Sequence, residues 1–167
     1  MFRLNVNIIG IDAPQGYLKL ACEGITNYPR LECIIRKGGD MQTMYVQEFN
    51  STHKMLVGKY DLEILTLPRM KLSGVSINQS TTTNISVPQP GKLNILSGTE
   101  VWGAVYQMVN NRMELVCEID LVNKTQTITM QPGIYKIVYR PKNMTRSYYT
   151  FEREFKITSA YATTINL

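Results

Sequence analysis

The chain has 167 residues, of which 44% are hydrophobic and 19% charged, and its 18 basic against 13 acidic side chains give a net charge of +5. This is the composition of an ordinary globular protein, and no apolar stretch is long enough to cross a bilayer as a helix. The basic excess is shared almost evenly by the two halves, and the nearest approach to a cluster is Lys136, Arg140, Lys142, Arg146 and Arg153. That spread argues against a dedicated nucleic-acid face.

At the start, Phe2, Leu4, Val6 and Ile8 alternate with Arg3, Asn5 and Asn7. A signal peptide would instead carry a continuous apolar block, so residues 1–12 read as a leading strand or linker, with the natural chain expected to continue upstream of Met1. Period-two alternation then predicts strands at 17–22, 31–36, 43–49, 54–57, 60–67, 71–78 and 82–87. A second series is predicted at 92–96, 101–108, 112–119, 125–130, 135–140, 148–157 and 162–167. No capped amphipathic helix interrupts them, so the chain is read as all-β.

The two series repeat one another. Gly58-Lys59-Tyr60-Asp61-Leu62 returns 75 positions later as Gly133-Ile134-Tyr135-Lys136-Ile137, and Pro14-Gln15-Gly16 is answered by Gln89-Pro90-Gly91. Toward the end of each series, Val75 to Val87 aligns with Phe155 to Leu167 at a displacement of 80. Seven short strands per copy predict two tandem immunoglobulin-like (prealbumin-like) sandwiches, spanning 13–87 and 88–167. Inward positions are predicted at Leu18, Leu20, Leu62, Ile64, Val75, Ile77, Ile85 and Val87 in the first. In the second they are Leu93, Ile95, Leu115, Cys117, Ile128, Ile137, Tyr139, Phe155, Ile157, Ile165 and Leu167. Pro88 and Pro90 stiffen a junction with almost no slack, which predicts a fixed end-to-end arrangement.

The sharpest local motif is Met130-Gln131-Pro132-Gly133-Ile134-Tyr135-Lys136-Ile137. Pro132 presets φ and Gly133 permits a tight turn, after which Tyr135 can bury its ring and satisfy its hydroxyl on nearby backbone. The first copy keeps Gly58 and Tyr60 but has Val57 in place of the proline. This turn, followed by a strand, a polar turn and a Thr-rich final strand, resembles the carboxypeptidase-regulatory-like and transthyretin-like sandwich group. Residues 58–69, the Thr81-Thr82-Thr83 strand and Gln89-Pro90-Gly91 together resemble the carboxy-terminal region of Bacteroidetes-type von Willebrand factor A domain proteins. The resemblance implies a place outside the cytoplasm, periplasmic, secreted or at the cell surface, and an upstream domain of the same polypeptide. The metal-ion adhesion cluster of that domain, Asp-X-Ser-X-Ser, has no counterpart in these residues.

Chemistry-bearing residues are sparse. His53 is the one histidine and no nucleophile elbow accompanies any serine or cysteine, so no catalytic residues are assigned and the protein is not read as an enzyme. Neither zinc spacing nor a dense run of carboxylates occurs, so no metal or cofactor is expected. Cys22, Cys33 and Cys117 read as small buried hydrophobes, with a Cys22–Cys33 pairing left open. Glu152 and Glu154 share a strand face and read as solvent-side charges beside Arg153 and Lys156. Gly38-Gly39-Asp40 reads as a hairpin turn.

Nine of the fifteen aromatic residues lie beyond residue 100. Among them Trp102, Tyr106, Tyr148, Tyr149 and Tyr161 are candidates for an exposed platform, although sandwich cores and cross-strand pairs also use such residues. The expectation is a non-catalytic spacer and protein-contact module of a larger extracytoplasmic bacterial protein, without nucleic-acid or membrane insertion. The alternative is a carbohydrate-binding module holding a cell-surface glycan on Trp102, Tyr148 and Tyr149.

Overall fold

The computed structural model describes residues 13–24, 28, 31–144 and 146–167, with Tyr148 described by its backbone alone. The leading segment, 1–12, lies outside the described residues. The first half contains β1 (Gln15–Cys22), β2 (Glu32–Lys37), β3 (Thr43–Glu48), β4 (Ser51–Leu56), β5 (Gly58–Ile64), β6 (Met70–Ile77) and β7 (Thr82–Val87). The second contains β8 (Gly91–Leu96), β9 (Val101–Val109), β10 (Arg112–Leu121), β11 (Thr125–Met130), β12 (Gly133–Pro141), β13 (Phe151–Ile157) and β14 (Ala162–Asn166). The protein is all-β.

Each half is a sandwich of a three-stranded and a four-stranded sheet. The orders β4-β1-β7 and β3-β2-β5-β6 in the first half are matched strand for strand by β11-β8-β14 and β10-β9-β12-β13 in the second. In both, the opening strand runs antiparallel to the fourth and parallel to the last. The repeated sequence therefore codes a repeated topology, because the same alternation and the same turn chemistry recur at the same spacing.

Two buried clusters follow. Leu18, Leu20, Cys33, Ile35, Leu62, Ile64 and Ile77 fill the first half; Leu93, Ile95, Val105, Ile119, Ile137 and Ile157 fill the second. Val75, Ile85, Cys117, Ile128, Tyr139 and Leu167, expected inside, are half-buried against these clusters, most of them on outer strands of their sheets. Leu115 departs outright from the expected pattern and is 57% exposed. Leu115 faces Tyr106 while Cys117 faces Val105, so Val116 is an extra residue in the ladder. Such a bulge inverts the parity of the strand, turning Leu115 outward while Ile119 and Leu121 stay inside. The penultimate strand, expected from Tyr148, begins only at Phe151. Residues Ser147–Tyr149 form a 3₁₀ turn in which Thr150 N–H donates to the Ser147 carbonyl at 3.1 Å, and the β12–β13 ladder ends at Tyr139–Phe151.

All three thiols are free, and burial raises the Cys33 thiol to about 12, so it behaves as a core residue. The Gly38–Gln42 segment closes the β2–β3 hairpin. Its Gly39 N–H, together with that of Gly74, donates to the Asp61 carboxylate, at 2.9 and 2.8 Å, and these bonds lower the Asp61 pKa.

On β5, Glu63 accepts one guanidinium bond on each oxygen, from Arg69 and Arg36, both at 2.9 Å, and its side chain is only 13% exposed. The hydrogen bonds from Arg69 and then Arg36 hold its pKa below the usual carboxylate value. A lowered folded pKa gives stability that is present above the unfolded value and disappears as pH falls through the folded one. Glu63→Gln is therefore expected to cost about 1–2 kcal/mol at neutral pH and less near pH 3. Urea unfolding at the two pH values checks it; an equal loss at both would contradict the ion-pair account.

Candidate functional site: an aromatic sheet face and a two-half seam

Two features stand out, one on the surface and one between the halves. The surface feature is the outer face of the sheet β10-β9-β12-β13. Alternation along β9 turns Val101, Gly103 and Val105 inward and Trp102, Ala104, Tyr106 and Met108 outward. The register sets these in cross-strand rows: Asp120–Trp102–Arg140, Glu118–Ala104–Val138 and Leu115–Tyr106–Lys136. Trp102 is 51% exposed, and Leu115 beside Tyr106 and Met108, Met113 and Ile134 beyond it are exposed further along the same face. The short Ala104 side chain leaves a gap between the two rings. Open depressions lie on either side of this aromatic line, one of about 420 Å³ toward Leu115, Glu118 and Asp120, the other of about 280 Å³ toward Val138, Arg140 and Thr150.

Charges rim the face in pairs. Lys142 Nζ lies 2.5 Å from Asp120 Oδ1 and 3.8 Å from Glu100 Oε2, and 5.8 Å from the centre of the Trp102 ring, within cation–π range. Lys136 Nζ lies 3.2 Å from Glu152 Oε1 and 3.7 Å from Glu154 Oε1. Glu152 and Glu154 thus balance Lys136 across the ladder, where the sequence suggested Arg153 and Lys156. Arg153 Nη1 instead donates to the Asn166 carbonyl at 2.5 Å.

Of the three platform residues predicted from sequence, Trp102 stands on this face. Tyr149 is half-buried within the 3₁₀ turn, and the side chain of Tyr148 lies outside the described residues. The ring that shares this face with Trp102 is Tyr106, four residues along the same strand, with Ala104 between them. Tyr161 is exposed in the β13–β14 turn, where its carbonyl accepts the Lys92 N–H at 2.9 Å.

The second feature is built on the repeated turns. Tyr60 donates its hydroxyl to the Leu56 carbonyl at 2.9 Å, and Tyr135 donates its own to the Gln131 carbonyl at 2.8 Å, so Gly58 and the Pro132-Gly133 pair each lead into a buried tyrosine tied back four residues. In the second copy the anchoring residue also reaches the other half. Gln131 N–H donates to the Leu67 carbonyl at 2.7 Å, and Gln131 Nε2 to the Tyr28 hydroxyl at 3.0 Å. Leu67 packs its side chain against the buried cluster of the second half, and only Pro88, Gln89 and Pro90 separate β7 from β8. A cavity of about 320 Å³ at this seam is lined by Pro68, Met70, Pro88, Gln107, Gln131 and Pro132, among others. The signal for Gln131 was its place within the Pro-Gly turn; its partners across the seam had none.

His53 sits on β4 with its ring 4.9 Å from that of Tyr45. A polar depression of about 380 Å³ near the start of β1 is lined by Pro14, Gln15, Tyr17, Lys54, Gln79 and Ser80, and among the described residues Lys54 and Tyr17 are its ionisable groups. Among the described residues no three His, Cys, Asp or Glu side chains come together as metal ligands would. No described helix is long and apolar enough to cross a membrane, which says nothing of a β-barrel.

The fold and the two features define a tandem β-sandwich module. No family model matches the chain, and no curated protein matches it. Among solved structures it is similar to the minor pilin of Streptococcus agalactiae, with 12% identity and a TM-score of 0.41, covering 91% of this chain and 94% of that one. It is also similar to the TIE protein of Bacillus anthracis, with 12% identity and a TM-score of 0.37, covering 92% of this chain and only 34% of that one. Likeness this slight carries neither ligand nor partner across.

Proposed function

We propose that the chain is a non-catalytic structural and adhesive module of a larger extracytoplasmic bacterial protein, a rigid spacer that also offers a protein-contact surface. One observation carries the spacer reading: Gln131 bonds to Leu67 and Tyr28 of the other half while Leu67 is packed into the second core. Such contacts restrain both bending and rotation about the three-residue junction, which two prolines already stiffen. The resemblance of residues 58–69 and 89–91 to the tail of von Willebrand factor A domain proteins supports the extracytoplasmic location and the upstream domain. Local pairing of Lys136, Lys142 and Arg153 with carboxylates and a carbonyl supports leaving nucleic acid out.

Residual dipolar couplings test the spacer. Both halves are expected to report one common alignment tensor, and Leu67→Ala combined with Gln131→Ala is expected to split it into two. Separate tensors in the unmodified protein would refute rigidity. On the surface, the thioether and aliphatic side chains that share the face with Trp102 favour a protein partner over a sugar, whose hydroxyls need directional polar groups.

A further inference from the structure

We propose that the partner of the outer β10-β9-β12-β13 face is a second copy of this chain, docked face to face about a two-fold axis that runs along β9. The proposal deepens the contact-surface reading and rests on it. Its first ground is composition: Trp102, Met108, Met113, Leu115 and Ile134 are exposed together on one sheet face, the kind of contiguous apolar patch that marks a macromolecular contact. Its second is charge placement. In the row through Trp102, Asp120 lies on one side and Arg140 on the other.

A two-fold axis along β9 lays β10 of one copy over β12 of the other. Asp120 of each copy then meets Arg140 of the other, and Leu115 of each covers the aliphatic stem of Lys136 of the other. Trp102 and Tyr106 meet their own counterparts at the centre, and Glu118 of each copy faces Val138 of the other. The other in-plane axis, crossing the strands at Ala104, would set Glu118 against Glu118 and Arg140 against Lys136, like charges in both cases. Opposite charges therefore meet in the Trp102 row about one axis and like charges meet about the other, which favours the first for an isologous contact. Arg140 has no carboxylate within ion-pair distance among the described residues, and if Asp120 turns toward the other copy, Lys142 retains Glu100.

About this axis β10, β9 and β12 face one another; three strands spaced by about 4.8 Å and seven residues rising about 3.4 Å each make a contact roughly 10 Å by 20 Å. That is small for a protein interface, so weak and transient association is expected. Trp102 is the only tryptophan, and its emission reports the face directly.

Sedimentation velocity and tryptophan emission, both followed from about 1 µM to 1 mM, test the proposal. The expected result is a monomer–dimer equilibrium whose dimer fraction tracks a blue shift of Trp102 emission. Asp120→Arg alone and Arg140→Asp alone should each weaken dimerisation about tenfold or more, and the double exchange should restore it. Each variant's folding is checked by circular dichroism and thermal unfolding. The Leu67→Ala, Gln131→Ala variant, altered at the seam only, should dimerise like the unmodified chain, so a failed spacer and a failed dimer remain separate results. A monomer with unshifted emission at every concentration overturns the proposal, and so does a dimer indifferent to the charge exchange. Quenching of Trp102 by a glycan or another protein while the chain stays monomeric also overturns it, and assigns the face to that ligand.

Discussion

Tyr135→Phe should destabilise the protein by about 1–3 kcal/mol, and Tyr60→Phe by distinctly less, about 0.5–1.5 kcal/mol. Phenylalanine keeps the ring in both positions, including the stacking of Tyr135 on Phe155 at 5.7 Å between centroids, so the comparison isolates the hydroxyl. What differs is the acceptor left behind. Gln131 is 5% exposed and also holds the seam, so its carbonyl loses its donor out of reach of bulk water, whereas Leu56 is 51% exposed and its carbonyl can be rehydrated.

The same hydroxyl gives an alkaline signature. Burial raises the Tyr135 pKa well above the phenol value of 10.0. A group with a raised folded pKa contributes fully below its unfolded pKa, and the contribution is lost as pH rises toward the folded value. The stability gap between the unmodified chain and Tyr135→Phe should therefore hold steady through neutral pH and narrow above about pH 10. Denaturant unfolding at pH 7, 9 and 11 measures it. Equal losses for the two variants, or a gap that widens at pH 11, would show that burial of the hydroxyl is not what stabilises this corner.

A larger loss, about 2–4 kcal/mol, is expected for Gly91→Ala and for Gly16→Ala. A Cβ at Gly91 would lie 2.4 Å from the Thr158 carbonyl oxygen and 2.9 Å from that of Tyr161; one at Gly16 would lie 2.1 Å from the Asn78 carbonyl oxygen. Those neighbours are backbone atoms of the turn before the last strand of each half, so they cannot swing aside as a flexible side chain would. Relief has to come by lifting the opening strand, which strains the bonds that clamp it there. In the second half these are Lys92 N–H to the Tyr161 carbonyl at 2.9 Å and Ala160 N–H to Pro90 at 3.2 Å. In the first they are Tyr17 N–H to Thr81 and Ser80 N–H to Gln15, both at 2.8 Å. Gly98→Ala, where the added carbon meets nothing within 4 Å, is the control and should be near neutral. Thermal unfolding of the three variants decides it: if Gly91→Ala behaves like Gly98→Ala, the close approach is not required by the fold.

These glycines show how far the sequence reaches. Gly16 and Gly91 were visible as repeated letters, and the repeat correctly implied that the two copies share a structure. Nothing local said that the reason was a carbonyl oxygen from a turn more than sixty residues further on. The platform residues show the same limit: Trp102 and Tyr106 are legible as aromatics of one predicted strand, but that their face of the sheet stays uncovered is decided by the packing of distant strands. Leu115 was misassigned because parity carries through a strand until an extra residue breaks it, and a bulge at Val116 has no mark of its own among apolar neighbours.

By itself the sequence determined the all-β character, nearly every strand, the doubling, and the tyrosine corners, since each depends on residues within a few positions of one another. The three-dimensional packing alone decided which apolar side chains remain outside, which charges flank Trp102, and that Gln131 meets Tyr28, 103 positions away. Alternation specifies two faces for every strand, but which face is covered, and by what, is a property of contacts between distant parts of the chain.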